Sequence, residues 1–333
     1  MAVEHRQRPT NPPSTPVATF HDAVRIVAHR VPGIAAVGST APTLERLEGN
    51  HETPRVIDAQ VVENATVARP ISGAPGAAFT AFLDGVQESR VARVVRGVPI
   101  VWARISAVIR RRANRQLGTW ERPIVECRLY APLSALDSTT RAALADISIV
   151  DTTESGEDML LSRHPARVVE VALHAVQRDR ERAESALAER WCQTVAEPLL
   201  VDGSISGSEI VARHACAVGV VKSHRQLYAS AAVLDVLLAL ASGERTPVVR
   251  ISPRNRTPVH SWYVRLRDGV AHDALWGIVR VEVAESSDPT ARADEVSRWI
   301  LAERTPLALP DARWDRMTYP VRECEEYLRA IAF

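Results

Sequence analysis

Lysine is almost missing from this chain. Of its 41 Lys and Arg residues, all but Lys222 are arginine. A coding bias towards arginine accounts for most of that. A compact, strongly hydrated ammonium in a pocket, however, is not interchangeable with a planar guanidinium, so Lys222 is singled out as a candidate functional cation. Net charge is also missing: 41 basic residues face 40 acidic ones, leaving +1. No global basic field exists to attract nucleic acid, which weighs against a tail-driven DNA binder but not against an enzyme with a local basic groove.

Cysteine is scarce and scattered. Cys127, Cys192, Cys216 and Cys324 stand far apart with no CxxC pair, which reads against a zinc ribbon or a disulfide framework and suits a reducing cytoplasm. The first twenty residues lack an apolar run, so no signal peptide is read there. The most apolar stretch, Ala229 to Ala241, is broken by Asp235 and too short to span a bilayer, so no membrane is expected. No P-loop, GxGxxG or HExxH occurs, and an ATPase or zinc-protease reading has no support.

What remains is an ordinary globular composition, 46% hydrophobic and 24% charged. Residues 1–18 are Pro-rich and aperiodic and read as a disordered arm. A short helix is predicted over Phe20 to Arg30, and Val56, Ile57, Val61 and Val62 suggest one extended piece. After the turn-rich Ser72–Gly76, the runs 78–83, 91–95 and 100–109 read as a β meander, with a further strand over Ile124 to Tyr130 at an edge. Apolar residues at three- and four-residue steps predict a long helix over 166–196, its charged run 178–182 facing solvent. A short buried strand, Leu199 to Val201, ends at Asp202-Gly203-Ser204, and Ala217 to Val221 ends at Lys222. Residues 225–242 read as a helix with Gly243 just beyond it. Two alternating strands, 262–266 and 278–283, flank Asp268-Gly269, and helices follow from Pro289 to Ala302 and from Arg322 to Ile331. This order predicts an α/β fold with a mixed sheet flanked by helices.

Asp84 and Asp202 share a local grammar: each follows an apolar strand and precedes glycine. Asp-Gly is a favoured turn pair, so ordinary turns are one reading. The other places two carboxylates at strand ends of one sheet, converging on a divalent cation, as phosphodiester hydrolysis requires. A third acid would come from the long helix. Glu184 at the edge of its inner stripe is preferred, with Glu181 the alternative on roughly the same face. Lys222 would face the same end of the sheet and contact a phosphate. Arg110, Arg111, Arg112 and Arg225 are candidates for tracking a DNA backbone. His260 reads as a structural histidine. Trp102, Trp262 and Trp276 read as core side chains or as stacking platforms.

The set LDG at 83–85, VDGS at 201–204, GVVKSHR at 219–225, WYVRL at 262–266, VRVEV at 279–283 and Tyr319-Pro320 resembles the NurA family of nucleases over roughly residues 75–333. The resemblance implies a ribonuclease H-like core, similar to that of Piwi domains, occupying residues 76–333 behind an N-terminal extension at 19–75. It implies a homodimer that uses Mn²⁺ (or Mg²⁺), degrades DNA, and works with a HerA-like hexameric ATPase in DNA-end processing or defence against foreign DNA. It assigns metal-binding roles to Asp84, Asp202 and Glu184 and places the family's lysine at Lys222. Relatives often carry a histidine in the final helix. This chain has none there, and Glu326 (or Glu325) is the candidate substitute. The Pro-rich arm and the helix from Phe20 are candidate docking or dimer elements.

Overall fold

The computed structural model describes residues 17–31, 53–73, 76, 78–113, 116–154, 164–252, 254–268, 273–304 and 319–331. Most of the Pro-rich arm, and Gly269 of the expected Asp268-Gly269 turn, lie outside the described residues. The elements run α1 (Phe20–Arg30), β1 (Arg55–Ile57), β2 (Gln60–Val61), β3 (Arg69–Pro70), β4 (Ala81–Val95), β5 (Val98–Ala113), β6 (Gln116–Ala131), α2 (Ser138–Ala143), β7 (Ile149–Asp151), α3 (Pro165–Thr194), β8 (Leu199–Asp202), α4 (Glu209–Ala212), β9 (Ala217–Val221), β10 (Gln226–Tyr228), α5 (Ala231–Ala239), β11 (Glu244–Arg245), β12 (Val249–Ile251), β13 (Val259–Arg265), β14 (Ile278–Val283), α6 (Pro289–Ala302) and α7 (Tyr319–Ala330). One large mixed sheet has the order β2-β12-β13-β14-β9-β8-β4-β5-β6-β7, with β11 joined to β13 and β3 to β11, and β1 pairs separately with β10. The chain is therefore α/β, as its element order predicts.

Two compact units interleave along the sequence: 1–48, 87–105 and 125–180 form one, and 49–86, 106–124 and 181–333 the other. In the first, successive residues of β5 face opposite ways. Val98, Ile100 and Trp102 pack with Phe20, Ala23 and Val27 of α1, while Val101, Ala103 and Ile105 pack with Ala172, Ala175 and Val176 of α3. Helix α1 begins where its cap dictates, the Thr19 side chain accepting from Asp22 N–H at 3.1 Å. Its apolar stripe is buried in its own chain, so that face of the candidate docking element is core. Nor is the charged run of α3 simply solvated: Asp179 is buried and accepts from the Tyr130 hydroxyl at 2.8 Å and Arg128 at 2.9 Å.

In the second unit the central strands β4, β8 and β9 are parallel and covered on both faces. Ala81, Leu83, Leu199 and Val201 pack against Ala183, Leu187 and Trp191 of α3. Phe82, Leu200, Val218 and Val220 pack against Val296 and Ile300 of α6 and Val321, Cys324 and Leu328 of α7. Burial on both faces explains why AFL, LLV and AVGVV read as unbroken apolar runs. Beyond β9 the pairing turns antiparallel through β14, β13 and β12.

Three expectations are corrected. Residues 78–95 are not two runs parted by an Asp-Gly turn: β4 passes straight through Asp84-Gly85, held beside the long strand β5. The 124–130 strand is not an edge, because β7 pairs in parallel with the end of β6. The 225–242 helix is shorter: Gln226–Tyr228 pairs with β1, the Ser230 side chain caps α5 by accepting from Val233 N–H, and Leu240 ends it before Gly243 is reached.

Candidate acidic site on the central parallel strands

The register decides where the candidate residues stand. Ala81, Phe82 and Leu83 of β4 face Leu199, Leu200 and Val201 of β8, so Asp84 and Asp202 are the next step on neighbouring parallel strands. Asp202 is in turn opposite Val220 of β9, and Lys222 follows two residues later. With a period of two, Asp84, Asp202 and Lys222 share the sheet face of Phe82, Leu200 and Val220. The Lys222 ammonium lies 2.5 Å from Asp202 Oδ2, a pair only partly open to solvent. After Asp202 the chain turns through Gly203 at φ +140°, a backbone state that favours glycine.

Glu184 is buried and arrives from α3, which covers the other face of the sheet, that of Leu83 and Gly85. Gly85 makes room for it: a Cβ there would stand 2.9 Å from Glu184 Cγ and Cδ and closer still to Oε1. The glycine after Asp84 therefore serves a close approach within a strand, not a turn. Glu181, one turn earlier, is half-buried. The acids acting on Asp84 include Asp202 and Glu184.

Asp84 is the electrostatic centre of this group. Burial holds its carboxyl well above the usual carboxylate range, and the charges of Asp202 and Glu184 push it further up. Lys222 and the Gly85 N–H, which donates to Asp84 Oδ1 at 2.7 Å, pull the other way. An all-oxygen donor set of this kind is the chemistry that hard divalent cations take. Only one trio of potential donors among the described residues brings its ligand atoms within 4.8 Å of one another, and it is not the acidic one but Cys192, His214 and Cys216.

The remaining candidates are placed elsewhere. Arg110 donates to Thr119 Oγ1 and Leu117 O and lies over the Tyr327 ring. Arg111 pairs with Glu197. Arg112 is held by Glu303 and Phe79 O. The triple arginine stitches its own unit together and is not a free phosphate track. Arg225 is exposed. Glu326 is 60% exposed and ion-paired with Arg322 one turn away on α7, which does not fit it as a ligand beside the buried Asp84. His260 is buried and accepts from Ser286 N–H at 3.3 Å, as a structural histidine does. Trp102 and Trp262 are core, the latter donating to Ser297 Oγ, and Trp276 is half-buried.

Sequence reasoning missed Glu282. Buried in β14, it pairs with Arg280 at 3.0 Å and accepts from Ser204 Oγ at 2.7 Å and Ile205 N–H at 3.0 Å. It thereby fixes the loop that leaves Asp202. An acid in an otherwise alternating strand was the available signal.

No family model matches the chain, and no curated protein matches it. No helix among the described residues is long and apolar enough to cross a membrane.

Proposed function

We propose that this chain is a metal-dependent deoxyribonuclease of NurA type, acting in the cytoplasm as a homodimer with a HerA-like hexameric ATPase in DNA-end processing or defence against foreign DNA. The observation that carries the reading is the placement of Asp84 and Asp202 in register on adjacent parallel strands, with Glu184 seated over Gly85 and Lys222 on Asp202. Asp84, Asp202 and Glu184 would hold Mn²⁺ or Mg²⁺, and a cation there would offset the burial and the like-charge crowding that raise the Asp84 carboxyl. Such an ion supplies polarisation of a phosphoryl oxygen and activation of water. Lys222 is the cation for a non-bridging phosphate oxygen, and Glu282 fixes the loop that follows Asp202 through Ser204 and Ile205.

A second reading, a catalytically silent NurA-like subunit that binds DNA or the ATPase, is favoured by two observations. The ammonium of Lys222 already neutralises Asp202, and the carboxylates do not close into a tight donor trio. Incubation of full-length protein with labelled single- and double-stranded DNA, with Mn²⁺, Mg²⁺ or EDTA, separates the two. Mn²⁺-supported degradation abolished by Asp202→Ala is expected. Activity surviving both EDTA and Asp202→Ala refutes the site, and DNA binding without degradation in any metal favours the silent subunit. Light scattering after size exclusion, with and without the ATPase, tests the partner claims: a strict monomer that never comigrates refutes them.

A further inference from the structure

Two of the four cysteines, far apart in sequence, come together in the fold. Cys192 lies near the end of α3, and Cys216 immediately precedes β9; both are buried. Their sulfurs stand 3.8 Å apart. His214 lies two residues before Cys216 and is half-buried. Its Nδ1 accepts from the Cys216 N–H at 3.3 Å, a contact given up when a ring nitrogen takes a metal ion. One donor atom from each of the three falls within 4.8 Å of the other two, and no other described trio of His, Cys, Asp or Glu does so.

We propose that Cys192, His214 and Cys216 form a binding site for a single zinc-like transition-metal ion, separate from the acidic site. Donor chemistry sets the class of ion. Thiolate and imidazole suit Zn²⁺ and its neighbours, whereas Mg²⁺ and Mn²⁺ prefer the carboxylates of the other site. Geometry supports it: two thiolates bound at about 2.3 Å in a tetrahedron lie about 3.8 Å apart, the separation these sulfurs already have. The half-buried histidine leaves a solvent side from which the ion enters and a water completes the fourth position. On binding, both thiols lose their protons to solvent and no electron moves, so affinity rises with pH.

The ion is a strut. It joins α3, which carries Glu184, to the segment that starts β9, the strand that Lys222 follows. Glu184 is eight residues before Cys192, about 12 Å along the helix. The ion therefore touches none of the acidic residues, and the proposal does not depend on the nuclease reading.

The test uses full-length protein, fully reduced and without chelator, loaded with Zn²⁺ and then, separately, with Co²⁺ as a spectroscopic probe. Expected are one zinc per chain by elemental analysis, thiolate-to-cobalt charge-transfer absorption, and a melting temperature that rises with free Zn²⁺. Cys192→Ala abolishes the absorption, and His214→Ala weakens zinc binding by at least about tenfold. Cys127→Ala leaves both unchanged. If Cys192→Ala does not fold, the partly exposed His214→Ala variant carries the test, read by zinc competition. Absence of cobalt–thiolate absorption in the folded, reduced protein overturns the proposal. So does equal binding by wild type and His214→Ala, or a Cys192–Cys216 disulfide whose reduction restores no metal binding.

Discussion

Replacing Asp84 by Asn tests whether the acidic group is held together against its own repulsion. Adjacent strands lie about 4.8 Å apart, and two carboxylates at that spacing repel by about 3.5 kcal/mol at an effective dielectric of about 20. Asp84 faces such a charge from Asp202 and a further one from Glu184, with Lys222 offsetting part of the total. Asn keeps the shape and still accepts from the Gly85 N–H while removing the charge. The net gain is about 1–3 kcal/mol near pH 8, a rise of about 3–10 °C in melting temperature for a unit of this size. The pH dependence has a definite sign. Because burial and its acidic neighbours raise the folded carboxyl, the folded chain holds a proton that the unfolded chain releases from about pH 4 upwards. Wild-type stability from this group is therefore present at low pH and lost as pH rises through the raised value. Melts of wild type and Asp84→Asn at pH 5 and pH 8 should show the variant ahead at pH 8 and the gap closing at pH 5. A variant less stable at pH 8, or a gap independent of pH, refutes the electrostatic account.

Gly85→Ala adds a Cβ into the Glu184 carboxylate, so Glu184 must swing away; metal-dependent DNA degradation should fall by at least about tenfold while the melting temperature moves by less than about 5 °C. Glu282→Gln leaves the buried Arg280 short of its partner and weakens the hold on Ser204 and Ile205, a loss of about 2–4 kcal/mol by chemical denaturation. Arg245, fully buried between Glu63 and Asp294, should be costlier still: Arg245→Ala strands the buried Glu63 and should lower stability by about 3–5 kcal/mol in the same measurement.

Local signals were legible where one residue acts on its own neighbours. Thr19 caps α1, and Pro289 after Asp288 sets the start of α6, so both helices fall where the sequence places them. The errors arise where pairing with a distant strand overrides local preference. Gln226–Tyr228 has a helix-compatible sequence but is drawn into a ladder with Arg55–Ile57. Asp84-Gly85 has turn chemistry, yet β4 continues past it because β5 runs alongside.

The two donor groups show the same division. Asp84, Asp202 and Lys222 were visible because each ends or follows an apolar run that must lie in the centre of a sheet, and parallel neighbours in register bring such positions to one level. Cys192 and Cys216 carry no such signal. Cys192 is one small apolar side chain on a helical stripe, and Cys216 one before a strand. Only the packing of α3 over β8 and β9, through Leu187, Trp191, Leu199 and Ala217, sets their sulfurs face to face. Spacing along the chain bounds which cysteines can form a local ribbon; it says nothing about those a helix carries back across a sheet. A donor set built that way is found by asking which face of each element is buried against which, a question the periodicity of α3 poses and the register of β8 with β9 answers.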